Sequence, residues 1–277
     1  MLPIRRDIRF ALPAEHIKDW HEQGPFITHF FNALSLLFPQ GELFFMDSVR
    51  HYRSRIDDPE LKQQIQGFIG QEAMHSREHV AYNDLLQAAG LPAHTLDRRL
   101  KFILDWQKKH FPPSFNLAIT IALEHYTAML AEILLSDPSR FGNSLKGYQQ
   151  MWYWHALEET EHKAVAFDVW SRVIKPGPKR YLLRTGTMLT TTLFFWLVVF
   201  DFHLRLLIAD RKAGGHLKGF WRMLKFLYGP KGVFPRMLRP LLDYFRPGFH
   251  PWDHDNRARL ERIDGLIEEI ERTYTST

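Results

Sequence analysis

The chain has 277 residues, 45% of them hydrophobic and 24% charged, a composition that suits a globular protein with a sizeable core. It contains no cysteine, which excludes disulfides, thiolate zinc sites and iron–sulfur clusters and leaves His, Asp and Glu to hold any metal. The net charge of +5 is unevenly placed: residues 1–174 carry 18 Lys and Arg against 21 Asp and Glu, whereas residues 175–277 carry 18 against 10. Such asymmetry implies two segments with different roles, the second facing an anionic surface.

The N-terminus, MLPIRRDIRFALPAEHIKDW, lacks the unbroken apolar core and small-residue cleavage site of a signal peptide, so a cytoplasmic location is expected. Apolar residues recur at three- and four-residue spacing and strand signals are scarce, which predicts an all-α fold. Residues 1–24 read as an extended arm. A helical region follows from Pro25 to Arg55, with an interruption expected at Pro39-Gln40-Gly41. Asp58 can cap the next helix, with Pro59 in its first turn, and Gly90 with Leu91-Pro92 stops it. A shorter helix spans His94 to His110. Pro112-Pro113 opens a long apolar helix that ends before Pro138, and another runs from Asn143 to Ile174, closed by Pro176-Gly177-Pro178.

Tyr181 to Ile208 is the most apolar part of the chain. Its uncharged run, 185–200, is 16 residues, short of the roughly 20 needed to span a bilayer. It reads as a helix buried against the bundle or a partner subunit, as in a homodimer. The alternative is peripheral membrane contact through 181–246, because Arg211 to Arg246 carries nine Lys and Arg, interleaved with Phe220, Trp221, Phe226 and Tyr228, against Asp243 alone. No nucleic-acid motif accompanies this tract, so no nucleic-acid partner is expected. The last segment, 255–274, reads as an amphipathic helix with Leu260, Ile263, Ile267 and Ile270 on one side.

The chemistry gathers in Trp154 to Val165, WHALEETEHKAV. On a helix, His155, Glu159 and His162 share one face, since offsets of four, three and seven residues nearly close whole turns. Upstream, QEAMHSREH repeats the Glu-x-x-His spacing with Glu72 and His75. Single glutamates stand in unusually apolar surroundings at Glu42 (GELFF) and Glu124 (ALEHY). Glu42 to Glu72 is 30 residues and Glu124 to Glu159 is 35, each about one long helix up and the next one down. Two Glu-x-x-His motifs with one glutamate on each of two further helices form the ligand set of ferritin-like di-metal bundles. The expected fold is therefore an all-α, ferritin-like four-helix bundle over residues 1–178, with a dinuclear metal centre and an N-terminal arm. An apolar and basic extension of additional C-terminal helices, residues 179–277, packs on it. Two metal ions, iron foremost and manganese otherwise, suit a nitrogen- and oxygen-donor set. Glu158 and Glu161 point about 100° away from Glu159 and His162, as outer support or surface.

Through GELFFMDSVRHY, FIGQEAMHSREH, ALEHYTAML and HALEETEHKAVAFDVW, residues 1 to about 255 resemble the bacterial family labelled predicted metal-dependent hydrolase. The ligand pattern is also similar to that of di-iron carboxylate oxygenases. His155-x-x-x-Glu159-x-x-His162 resembles the arylamine N-oxygenases, which implies His155 as a seventh ligand. The radical-bearing subunit of ribonucleotide reductase has a tyrosine four residues after the first-motif histidine. Here that position is His79, which argues against a stable radical and makes His79 a support for the ligands, as Tyr126 would be. Tyr148 and Tyr153 are pocket or electron-transfer candidates. Three functions follow: oxidation of a small organic or lipid-like substrate by O₂ with an electron-donor protein, hydrolysis through a metal-bridging hydroxide, or non-catalytic metal handling. The first is the leading expectation.

Overall fold

The computed structural model describes residues 1–210, 217–257, 265, 267–270 and 272–274. Among them all regular structure is helical, in the order α1 (Pro25–Tyr52), α2 (Pro59–Ala88), α3 (Ala93–His110), α4 (Pro113–Leu135), α5 (Lys146–His162), α6 (Val165–Val173), α7 (Pro178–Ala209), α8 (Leu217–Tyr228) and α9 (Val233–Asp243). Helices α1 and α2 form one hairpin and α4 and α5 another. The hairpins face each other, α1 meeting α4 and α2 meeting α5 and α6. One continuous apolar core runs from Ile17 to Phe249 and joins this bundle to the later helices.

Local chemistry explains the ends of α2. The Asp58 carboxylate accepts from the backbone N–H of Glu60 at 3.0 Å and of Leu61 at 3.3 Å, with Pro59 pre-set for the first turn. At the other end Gly90 takes φ 82°, so the Leu91 N–H reaches the Leu86 carbonyl and the Gly90 N–H the Gln87 carbonyl, a Schellman stop.

Two helix boundaries differ from the sequence reading. Helix α1 runs unbroken through Pro39. A mid-helix proline strips the carbonyl four residues earlier, Ser35, of its partner. Here Asn83 on α2 donates its side-chain amide to that carbonyl at 3.1 Å, so the helix continues. The single helix expected over 143–174 is instead two, α5 and α6, parted at Lys163-Ala164. There Lys163 is drawn aside: its ammonium donates to the His254 carbonyl at 2.7 Å and to Asn256 Oδ1 at 2.8 Å. Of the C-terminal amphipathic stretch, Leu260 and Ile263 lie outside the described residues. Ile267 and Ile270 are buried against Ile8, Trp154 and Leu157, which ties the chain's end to its arm.

Helices α7, α8 and α9 form an outer layer over α1 and α4. The Arg184 guanidinium donates to the carbonyls of Tyr244 (2.6 Å) and Arg246 (2.7 Å), placing the end of α9 beside the start of α7. Trp196 and Phe234, 4.7 Å apart, bring the start of α9 to the middle of α7. The inner face of α7 is buried through Met188, Val199, Phe202 and Leu206, while Leu189, Leu193, Leu197 and Ile208 are 56–71% exposed. Helices α4 and α7 are both long and apolar enough to cross a membrane, but α4 is mostly buried in the bundle.

Candidate metal centre

The two hairpins bring the predicted ligands together. Glu42 on α1, Glu72 and His75 on α2, Glu124 on α4, and His155, Glu159 and His162 on α5 are each no more than 3% exposed. Because α1 is continuous, Glu42 sits mid-helix and faces inward. Ligand atoms of Glu72, His75, Glu159 and His162 lie within 4.8 Å of one another, and so do those of Glu42, His79 and His155. His162 Nδ1 is 3.3 Å from Glu124 Oε2, and its Nε2 is 3.5 Å from Glu72 Oε1 and 3.7 Å from Glu159 Oε1. His155 Nε2 is 3.1 Å from Glu159 Oε1.

These distances are short, yet most of the atoms are not aligned as hydrogen bonds. Both carboxylate oxygens of Glu42, Glu72 and Glu159, and Nε2 of His155 and His162, lack a hydrogen-bond partner among the described residues. A buried carboxylate oxygen left without a partner is costly, and several converging on one volume call for a cation. The donor set, nitrogen and carboxylate oxygen with no sulfur, fits a pair of transition-metal ions.

The electrostatics point the same way. Burial, reinforced by Glu159 and Glu124, holds the carboxyls of Glu42 and Glu72 well above the usual carboxylate range. Burial pushes Glu124 up to about 7 despite the His162 imidazole. Burial would raise Glu159 as well, but His162 and His155 outweigh it and leave it lowered. For His162 burial lowers and the facing Glu159 and Glu124 raise, with the carboxylates winning at about 9. Without a metal the cluster must therefore hold protons that do not belong to free carboxylates.

His79 lies against the centre. Its Nε2 is 2.9 Å from His155 Nδ1, and its Nδ1 is 2.8 Å from Ser35 Oγ, which donates to Asn83 Oδ1 at 2.9 Å. With both ring nitrogens hydrogen-bonded, it orients His155. The Asn83 that repairs the Pro39 helix thus also anchors this relay. Tyr126 departs from expectation: its hydroxyl donates to Thr192 on α7 at 2.7 Å and its ring stacks on Phe195, away from the carboxylates. The Tyr148 and Tyr153 hydroxyls likewise go elsewhere, to the carbonyls of Pro13 and Pro138.

Two residues of the arm and α5 carry more than the sequence suggested. Glu158 is fully buried, with Oε2 3.0 Å from His75 Nε2 and Oε1 accepting from the Trp154 indole at 2.9 Å. Arg6 reaches from the arm to Glu158 Oε1 at 3.1 Å and to Glu161 Oε1 at 2.7 Å. Burial pushes the Glu158 carboxyl up to about 8 against the pull of Arg6. A trench in α2 admits the arm: a Cβ on Gly67 would meet the Pro3 carbonyl oxygen at 2.3 Å, so only glycine fits. No sequence signal marks Arg6.

An apolar cavity touches the centre at His155 and Glu159. It is lined along α1 by Phe31, Leu34 and Phe38 and along α4 by Leu130, Ala131 and Leu134, and it extends to Arg140 and Phe226. Its volume is ≈ 60 Å³, and it is open on one side.

No curated protein and no solved structure matches the chain. A family does, over residues 4–255, and with its buried, metal-ready cluster the chain belongs to the family described as predicted metal-dependent hydrolase.

Proposed function

We propose that this protein is an enzyme that uses two metal ions held by Glu42, Glu72, His75, Glu124, His155, Glu159 and His162, and that its reaction is the hydrolysis its family description names. Iron or manganese suits the donors. The observation that carries the reading is the set of buried, unpartnered carboxylate and imidazole atoms converging from four helices. Two bound ions would supply Lewis-acid polarisation of a scissile group and a water acidified toward neutral pH.

The chain's own residues position and insulate this chemistry. Glu158 stands against the ring of His75 as a charge partner, and Arg6 with Trp154 fixes Glu158. His79 fixes His155 through its Nδ1 side, leaving Nε2 turned to Glu159. Phe68, whose ring stands edge-on 5.0 Å from His162, and Phe38, 4.3 Å from His155, keep bulk water from both sides.

A second reading, oxidation by O₂ with an outside electron donor, is favoured by the cavity. Its walls beside His155 and Glu159 are almost wholly hydrocarbon and offer little to hold the polar group of an ester or amide. The two separate cleanly. Hydrolysis requires that protein loaded with manganese or zinc turn over a panel of esters and amides in the absence of oxygen. Oxygen uptake by the ferrous protein in proportion to reductant, with no anaerobic turnover, would replace hydrolysis by oxidation. Metal analysis finding no ion retained by protein prepared with iron or manganese would end both.

A further inference from the structure

We propose that the substrate is an elongated apolar molecule with an anionic head group, its head on Arg140 and its body lying along the cavity toward His155 and Glu159. The proposal rests on the metal-centre reading for its reaction but not for its binding. On α1 the lining residues Phe31, Leu34 and Phe38 step down one face to Glu42, and on α4 Leu134, Ala131 and Thr127 step down to Glu124. The α4 lining runs from Thr127 to Leu134, seven residues or roughly 10 Å along the helix, so the cavity runs lengthwise away from the centre. Ring contacts trace the same path: Phe38 to His155 at 4.3 Å, Phe31 to Trp152 at 5.0 Å, and Phe31 to Phe226 at 6.2 Å.

At the far end stands Arg140, 8% exposed, its guanidinium 5.8 Å above the Phe226 ring. It donates to the Lys231 carbonyl, while its Nε has no hydrogen-bond partner among the described residues. Asp137 Oδ2 lies 3.8 Å from that Nε, too far for a hydrogen bond. Arg236 is close enough to be felt by Arg140, and its Nη1 is also buried and unpartnered. Of the two guanidiniums facing the one carboxylate, Arg140 lines the cavity and sets an idle Nε and net positive charge at its end. A carboxylate or phosphate on an aliphatic chain satisfies both at once.

Titration of metal-free and metal-loaded protein with dodecanoate, dodecyl phosphate and dodecanol tests this. Both anions should bind about tenfold or more tighter than the alcohol, and their ratio identifies the head group. R140L should remove that advantage and leave dodecanol unchanged, with R140K retaining part of it. A131W, which fills the cavity, should weaken all three. Equal binding of anion and alcohol to the wild-type protein, no binding at all, or an A131W variant that binds as before would overturn the proposal. If R140L does not fold, the wild-type ratio and A131W still decide it. Failure to bind metal would sink the reaction while leaving these titrations intact.

A different observation carries a second inference: the outer face of the α7–α9 layer rests on a bilayer with anionic head groups. Leu189, Leu193, Phe194, Leu197, Leu204 and Ile208 form one exposed stripe along α7 at helical spacing. Helix α8, which packs on α1 as α7 does, exposes Phe220, Trp221 and Tyr228 and contains Lys218, Arg222 and Lys225 with no acid. Hydrocarbon, ring and cation on one outer face complement acyl chains, interface and phosphate in turn. The buried inner face of α7 holds it flat on the bundle, parallel to such a surface. The protein should sediment with vesicles of phosphatidylcholine mixed with phosphatidylglycerol, less with phosphatidylcholine alone, and be released by salt. Changing Leu193 and Leu197 to Glu, or Lys218, Arg222 and Lys225 to Glu, should abolish sedimentation. Wild-type protein that ignores the anionic vesicles overturns the idea. So does a dimer in ultracentrifugation that the Leu193 and Leu197 changes dissolve, since a second copy then covers the stripe.

Discussion

The bundle interior and the α7–α9 layer break the same rule in opposite directions. Inside, between α1, α2, α4 and α5, lie four carboxylates and their imidazoles with almost no solvent access. Outside, α7 turns leucines to the solvent at more than half exposure. Charges are seldom buried unless something pairs them, and broad apolar faces are seldom bare unless something covers them. Each inversion therefore points to a missing neighbour, a cation in the first case and a surface in the second. They differ in what the fold risks. The inner inversion is costly to stability, whereas the outer one costs the isolated fold little.

That contrast can be tested from its strongest point downward. Glu159→Ala removes a carboxylate shared by His155 and His162, and should cost a hundredfold or more in activity, on the order expected when a ligand and not merely its support is lost. Metal analysis should show depleted binding in the same variant. Arg6→Ala leaves Glu158 and Glu161 buried without their cation and should destabilise the fold by about 3–5 kcal/mol in urea unfolding. A loss under 1 kcal/mol would mean that the arm is dispensable to the interior.

Metal removal should expose a pH dependence of definite sign. Glu124 at about 7, Glu158 at about 8 and His162 at about 9 all lie above their unfolded values, so the folded metal-free protein binds more protons than the unfolded chain. Its stability should fall as pH rises from about 6.5 to 9, while metal affinity rises over the same range because ligands must be deprotonated. Melting temperatures with and without chelator should therefore diverge with pH, and parallel curves would break the assignment. Asn83→Ala, which frees the Ser35 carbonyl and the relay to His79, should cost about 1–3 kcal/mol. Least of all, Leu197→Glu on the outer stripe should change stability in buffer by no more than about 0.5 kcal/mol. A larger loss would show that this face is already packed against a second copy.

What was legible in the sequence follows from distance along the chain. Glu72 with His75, and Glu159 with His162, are local patterns at helical spacing, and the Asp58 cap and Gly90 stop are local too. Glu42 and Glu124 stood out because apolar neighbours surround them. The all-α class, the buried cluster and the family could all be read this way. The rest depends on contacts between remote residues. Pro39 predicts a break until Asn83, 48 residues after the carbonyl it serves, is known to be beside it. The parting of α5 from α6 depends on Lys163 meeting His254, 91 residues on. Tyr126 reads as a ligand support from its place beside Glu124 and His125, yet one helix position turns it toward α7.

The arm has a consequence for the order of events in folding. Arg6 is made before the carboxylates it neutralises, which follow 152 and 155 residues later. Helix α2 alone can hold the arm, through the Gly67 trench and Glu78, but only with α5 in place does Arg6 find Glu158 and Glu161 to neutralise. Closing this side of the bundle therefore couples two segments that lie far apart in the chain, and the arm's docking and the burial of those carboxylates form one cooperative event.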